Sequence, residues 1–303
     1  MLRVVMYHYV RAPSDPYPGL KGIALDDFVR QVDALAGMYE MASLESAMAY
    51  VAGQYSPPRD LCLLTFDDGV QDHLRASRVL AERKIEGQFF LITSAIEEHR
   101  VLSVHKNHLL MASLDFATYR AAFLEKLRER DAIPPAASAE TIRRTYRWDT
   151  EEVAAFKYLL NFQLDKSVRE HVLDELFAAH LGEEHDVAKN FYLSWDDAWR
   201  MHELGMRLGG HTHKHEVLSS LTPSEEREDL ATCKTLLDRR LSAQSLVPFS
   251  YPYGKPDSFT VHTQRVLAEL GFACAFTTEV GDNLPSQGRF GLKRVDTKDC
   301  LSA

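Results

Sequence analysis

Short unbroken apolar runs alternate along the first hundred residues with segments whose apolar positions recur every three or four residues. Leu2 to Tyr9 reads as a buried strand, and Leu25 to Tyr39 as an amphipathic helix with Phe28, Val32, Leu35 and Met38 on its apolar face. A helix over Ser43 to Val51 follows. Next come the strand Leu61 to Phe66, a helix through Leu74 to Arg83 and a strand from Gln88 to Thr93. Gly87 is read as the glycine that ends the helix before that last strand. From Glu97 to Asn190 the strand signal fades. Helical patterns take over at Phe116 to Arg130, Thr150 to Asn161 and Lys166 to Leu181, punctuated by Pro134 and Pro135.

Strand–helix alternation resumes at Phe191. Ser194 with Asp197 is a capping pair opening a helix that ends at Gly205, and Met206 to Gly210 is a short strand. Thr222, Pro223 and Glu225 combine a cap, a first-turn proline and a reciprocal carboxylate, a strong helix start. The strand Leu246 to Tyr251, a helix over Thr260 to Leu270 and the strand Phe272 to Thr277 complete the pattern. Repeated βα units predict a parallel sheet with helices outside, as a barrel or an open sheet. Without the helical stretch about 210 residues remain, near the size of one barrel domain. The expected architecture is therefore α/β: one (β/α) barrel over 1–303, with a helical insertion at 98–190.

Composition narrows the function classes. Thirty-five Lys and Arg against 44 Asp and Glu give a formal charge of −9, the wrong sign for a protein that neutralises nucleic-acid phosphates. No apolar run approaches membrane-span length, and the N-terminus lacks the apolar stretch and cleavage site of a signal peptide, so a cytoplasmic location is expected. Cys62, Cys233, Cys274 and Cys300 are scattered, with no CxxC pair to suggest a disulfide framework or a thiolate metal site.

Candidate chemistry sits at the ends of predicted strands. Asp67 and Asp68, in Thr65-Phe66-Asp67-Asp68-Gly69, end an apolar strand where unpaired carboxylates are costly to desolvate. A metal would remove that cost, one carboxylate binding and the other acting as base; an Asp-Asp-Gly turn or a helix cap is the plainer alternative. His211, His213 and His215 follow a pair of glycines. Histidines four apart share one face of a helical turn and can reach one ion, although a solvated histidine-rich loop has the same composition. These clusters, with Tyr7-His8 and Tyr251-Pro252-Tyr253-Gly254, all fall on the rim where α/β barrels collect catalytic groups.

With those residues in view the chain resembles the polysaccharide deacetylases of the NodB homology family, metal-dependent enzymes that remove acyl groups from sugars on a distorted (β/α) barrel. Thr65 to Gly69 is similar to that family's first motif, His211 to His215 to its H-[ST]-x-x-H motif, and Ser250 to Gly254 to its third. The resemblance implies Asp67 as catalytic base, Asp68, His211 and His215 as metal ligands, and the backbone N–H of Tyr253 as an oxyanion donor. It covers roughly 1–98 and 191–294. The arginine that many members carry before the third motif, where it tethers the base, is replaced by Ser250 or Tyr251, and the late Leu-x-His has no counterpart. The start at Tyr7-His8 and the Leu292-Lys293-Arg294 ending look like the branch containing biofilm-polymer deacetylases. His8 is accordingly a candidate proton donor near the metal, or else a core histidine satisfied by backbone. Arg294 either pairs with the site's carboxylates or makes a salt bridge on the rim.

The resemblance implies one divalent ion, zinc by default, with mixed N/O ligation also accepting cobalt, nickel or iron. The substrate expected is an N-acylated sugar or saccharide, and without an export signal an intracellular one. The insertion is long enough to lid one side of the groove or to form a homodimer interface. Two rivals stay open: a hydrolase of non-sugar amides on the same site, and a saccharide-binding protein without turnover. His105 and His108 read as exposed loop histidines rather than groups reaching the site from above, and Trp195 with Trp199 as a core stripe rather than a sugar-stacking platform.

Overall fold

A computed structural model describes residues 1–135, 137–145, 149–241 and 244–301. Its strands are β1 (Leu2–Tyr7), β2 (Val10–Arg11), β3 (Ile23–Ala24), β4 (Glu40–Met41), β5 (Leu61–Phe66), β6 (Gly87–Leu91), β7 (Arg207–Gly210), β8 (Pro248–Ser250), β9 (Cys274–Val280) and β10 (Leu292–Asp296). Among the described residues, β1, β5, β6, β7, β8, β9 and β10 pair in parallel, and β1 bonds to both β5 and β10. That double pairing closes a seven-stranded barrel, the α/β barrel architecture expected from the alternation. Closure is uneven: β1 and β5 share six registered pairs, whereas β7 and β8 share only Gly210 with Phe249. Short β4 lies on the start of β5, and β2 and β3 form a separate two-stranded piece.

The chain packs as two compact units. The first comprises 1–13, 22–100 and 188–303, and the second 14–21 and 101–187. The first unit holds the barrel and the helices α1 (Leu25–Met38), α2 (Leu44–Val51), α3 (Asp72–Glu82) and α4 (Thr93–Glu98). In the second lie α5 (Ser103–Ser113), α6 (Phe116–Glu129), α7 (Ala139–Thr145), α8 (Glu151–Tyr158) and α9 (Lys166–Leu181), and α10 (Glu184–Phe191) runs out of it. The barrel's later helices are α11 (Trp195–Glu203), α12 (Pro223–Arg240) and α13 (Val261–Glu269). α11 and α12 open with the capping boxes read from Ser194 and Thr222. The second unit has its own core, built on Tyr119, Phe123, Phe156, Val172 and Leu176.

Strand alternation sorts the apolar residues into two sets. Leu2, Val4, Leu61, Leu63, Phe90, Phe276 and Leu292 form one buried cluster, capped by Leu44, Ala47 and Tyr50 of α2. Val5, Tyr7, Leu64, Phe66, Phe89, Leu208 and Phe249 join the helices in the other. Both faces of β5 are buried, which is why its sequence is an unbroken apolar run. Counting by twos from Leu61 and Leu63 leads to Thr65 and Asp67, and from Leu292 to Arg294. The same alternation that fills the barrel therefore aims Asp67 and Arg294 into it.

Several local readings are corrected. Gly87 does not end a helix: α3 stops at Glu82, Lys84 takes the left-handed conformation (φ +57°), and Gly87 opens β6. A Cβ at Gly87 would stand 2.6 Å from Leu80 Cδ1 and 2.8 Å from Phe89 Cε2, so a side chain there would have to displace both. His105 lies on α5 and is buried, and His108 is half-buried; neither is an exposed loop residue. Trp195 is half-buried, but Trp199 is exposed, so the two make no core stripe. Met38 also faces solvent, at the end of α1.

Candidate active site

Asp67 continues the ladder past β5, its N–H donating to Tyr7 O at 3.0 Å. The chain then turns sharply, with Asp68 (φ +83°) and Gly69 (φ +64°) both left-handed. Thr212, His215 and Tyr253 also hold positive φ. A non-glycine residue in that region costs about 1–2 kcal/mol, so four of them around one site mark a backbone over-determined by its surroundings.

His211 leaves β7 with its N–H on Leu91 O, and its Nδ1 donates to Ser250 O at 2.7 Å. That bond occupies Nδ1 and leaves Nε2 facing Asp68, 3.4 Å from Oδ1. His215 Nε2 is 3.7 Å from the same oxygen, and the two imidazole rings are 4.9 Å apart. They converge from a loop rather than a helical turn, because the left-handed residues Thr212 and His215 fold the chain back on itself. One donor atom from each of Asp68, His211 and His215 lies within 4.8 Å of the other two. A carboxylate and two imidazoles at this spacing fit a divalent cation. Charge points the same way: burial would lower the His211 imidazole, but Asp68 and Asp67 outweigh it and raise it, so the pocket favours positive charge.

Arg294 resolves its two readings. Its guanidinium, fully buried, donates to both oxygens of Asp67 at 2.8 and 2.7 Å, to Thr277 O at 2.7 Å and to Thr65 Oγ1 at 3.3 Å. The carboxylate thus has a tether although Ser250 and Tyr251 stand where the family pattern has an arginine. Burial alone would raise the Asp67 carboxyl; Arg294, His211 and His8 together overcome it and hold it at about 2.

His8 projects at the site's edge, its side chain 43% exposed and Nε2 4.0 Å from Asp67 Oδ2. Its carbonyl accepts from His73 Nε2 at 2.7 Å. Tyr253 packs beside this cluster, its ring centroid 5.3 Å from that of His215. Thr278 holds this turn, donating from Oγ1 to Tyr253 O and from N–H to Gly254 O, each at 2.8 Å. Gly254 must be glycine: its φ is +61°, and a Cβ would meet Thr278 N at 2.7 Å.

The other singled-out residues lie outside the cluster. His213 turns to Thr93 Oγ1 (2.9 Å) and Glu98 (3.5 Å). Trp195 donates to Glu97, and His105 and His108 belong to the second unit. Asp229 of α12, which receives two loop N–H groups, carries no local signal that would have drawn attention to it. Among the described residues no helix is long and apolar enough to cross a membrane.

The family model described as polysaccharide deacetylase matches residues 161–275, a span holding the histidine loop and the Tyr253 turn but not Asp67 and Asp68. YxkH of Bacillus subtilis (strain 168), named for the polysaccharide deacetylases, is 28% identical over 116 residues, 38% of this chain and 40% of that protein. The match thus spans less than half of that relative's length. Three solved structures share the fold over 97% of this chain. They are IcaB from Ammonifex degensii (22% identity, 90% of that chain, TM-score 0.58), the Streptococcus pyogenes deacetylase PplD (16%, 91%, 0.60) and the deacetylase domain of BpsB from Bordetella bronchiseptica (14%, 95%, 0.57). With its barrel closed and its motif residues gathered on one rim, the chain shares the fold of these deacetylases, and its residues 161–275 are similar to the polysaccharide deacetylase family.

Proposed function

We propose that the protein is a metal-dependent hydrolase that removes an N-acyl group, N-acetyl foremost, from a sugar or saccharide, with Asp67 as base. The observation that carries this reading is the pairing of two carboxylate environments one residue apart. Asp68 faces two imidazoles, while Asp67 is held by Arg294. Asp68, His211 and His215 are the residues that would hold the ion, zinc by default. When bound, a divalent ion there supplies Lewis acidity toward a carbonyl oxygen and toward water.

The chain's own groups supply the rest. Asp67 is anionic throughout the neutral range, and Arg294 keeps its plane fixed while leaving lone pairs to accept a proton. It takes the proton from the attacking water as the C–O bond forms. The Tyr253 backbone N–H, in a turn held by Thr278 beside His215, donates to the developing oxyanion. As the C–N bond breaks, the leaving amine takes a proton from Asp67 directly or through His8. The products are a free amino sugar and a short carboxylic acid. PplD was solved in complex with acetate, the acid this reading expects.

Metal content of the purified chain, beside Asp68→Ala and His215→Ala, tests the reading first. About one divalent ion per chain is expected, lost in both variants and retained in Asp67→Asn, where acetate release from N-acetyl sugars falls by about 10²–10⁴-fold. An ion-free wild type, or acid released faster from small cyclic amides than from N-acetyl sugars, would sink the proposal.

A further inference from the structure

The histidine loop has no helix or strand of its own, yet it must present two imidazoles to one point. Three sets of bonds hold it. The N–H groups of Thr93 and Ser94 donate to the carbonyls of Thr212 and His213 at 3.3 and 3.0 Å. Within the loop, Thr212 Oγ1 donates to His211 O at 2.6 Å and accepts the His215 N–H at 2.8 Å. The third set comes from α12: Asp229 Oδ1 accepts the N–H of His213 at 2.8 Å and Oδ2 that of Lys214 at 2.9 Å. Asp229 is 6% exposed, so this carboxylate has been taken from water to bind the backbone between the two histidines.

We propose that Asp229 is a positioning residue for the ion site, its two oxygens clamping the His213 and Lys214 amides so that His211 and His215 face the same point. The inference rests on the metal reading above and extends it to a residue beyond the ligand set. The geometry requires two acceptors. Asparagine keeps one and turns an NH₂ donor against the other N–H, replacing a charge-assisted bond with a donor–donor clash. Glu226 provides the contrast. It lies three residues earlier on α12, is equally buried, and accepts from Thr263 of α13 rather than from the loop. It shares the burial and the helix but not the contact with the loop.

The test uses the full chain with Co²⁺ as probe, comparing wild type, Asp229→Asn and Glu226→Gln. Affinity is read by chelator competition, and ligand geometry by the visible absorption of the bound ion. Asp229→Asn is expected to weaken Co²⁺ binding about 10–100-fold, the range for partners that orient metal ligands, and to alter the spectrum. Glu226→Gln is expected to bind within about twofold of wild type, whatever it does to the melting temperature of the ion-free protein. Wild-type affinity and spectrum in Asp229→Asn, or an equal loss in Glu226→Gln, would overturn the clamp while leaving the metal reading intact. A wild type that takes up no Co²⁺ would overturn both, and is distinguished by the first titration. Should Asp229→Asn not fold, Asp229→Glu keeps both acceptors on a longer arm. An altered spectrum with unchanged circular dichroism then supports the clamp, and an unchanged spectrum overturns it.

Discussion

Methionine at position 294 would keep most of the arginine's length while deleting its charge. Three bonding partners lose a donor: Asp67, Thr277 O and Thr65 Oγ1. Two effects compete at Asp67. Burial disfavours the anion, while Arg294 leads the charges that favour it, and the balance now stands at about 2. Against an ordinary value near 3.9, that is about 2–3 kcal/mol toward the anion. Without Arg294, burial is opposed by His211 and His8 alone, and the carboxyl titrates higher than it does beside the guanidinium. Breaking one side of a buried ion pair costs about 3–5 kcal/mol. At about 2–4 °C per kcal/mol, the melting temperature falls by roughly 6–20 °C. The sign with pH follows. A depressed folded pKa stabilises above the unfolded value, and that stability is lost as pH falls from about 4 toward about 2. In Arg294→Met the folded carboxyl moves up toward the unfolded one, so acid removes less stability through this group.

A double-mutant cycle with Asp67→Asn, read by chemical denaturation, separates the pair from the rest. The bonds to Thr277 and Thr65 disappear whether or not residue 67 is charged, so only the coupling reports on Asp67. The expected coupling is about 2–3 kcal/mol, and the acidic limb of deacylation should move to higher pH in Arg294→Met. A coupling below about 0.5 kcal/mol together with an unmoved limb would refute the tether.

Two further outcomes test the frame that holds the site. His73 is packed against Phe66 and Phe89, and burial pulls its imidazole down to about 4, so it is neutral in the folded protein. Stability should therefore be whole above about pH 6.5 and fall by up to about 1.4 kcal/mol per unit as pH drops from there to about 4. Melting curves of His73→Gln should be flatter over that window, and an identical slope would remove His73 as the cause. Phe66 and Phe89 stack at 4.4 Å on fully buried strands, so Phe89→Ala should cost about 3–5 kcal/mol by urea denaturation. Exposed Trp199→Ala should stay within about 0.5 kcal/mol, and the reverse ranking would contradict the packing described.

What the sequence determined by itself lies in features encoded by a few neighbouring residues. Capping pairs at Ser194 and Thr222, the apolar run of β5 and the clustered carboxylates and histidines need no distant partner to be read. Strand β10 escapes such a reading for the converse reason: Lys293, Arg294 and Asp296 make Leu292 to Asp296 look like surface, and only barrel closure buries Arg294. Its contact with Asp67 spans 227 positions, and no local propensity carries information over that distance. His105 and Lys106 are likewise polar residues that only tertiary packing buries, Lys106 against Asp174 and Glu184. The residue types of the candidate site were thus legible from the strand ends. Its geometry was decided by closing a seven-stranded ring, which sets carboxylate, guanidinium and imidazoles from distant strands at bonding distance.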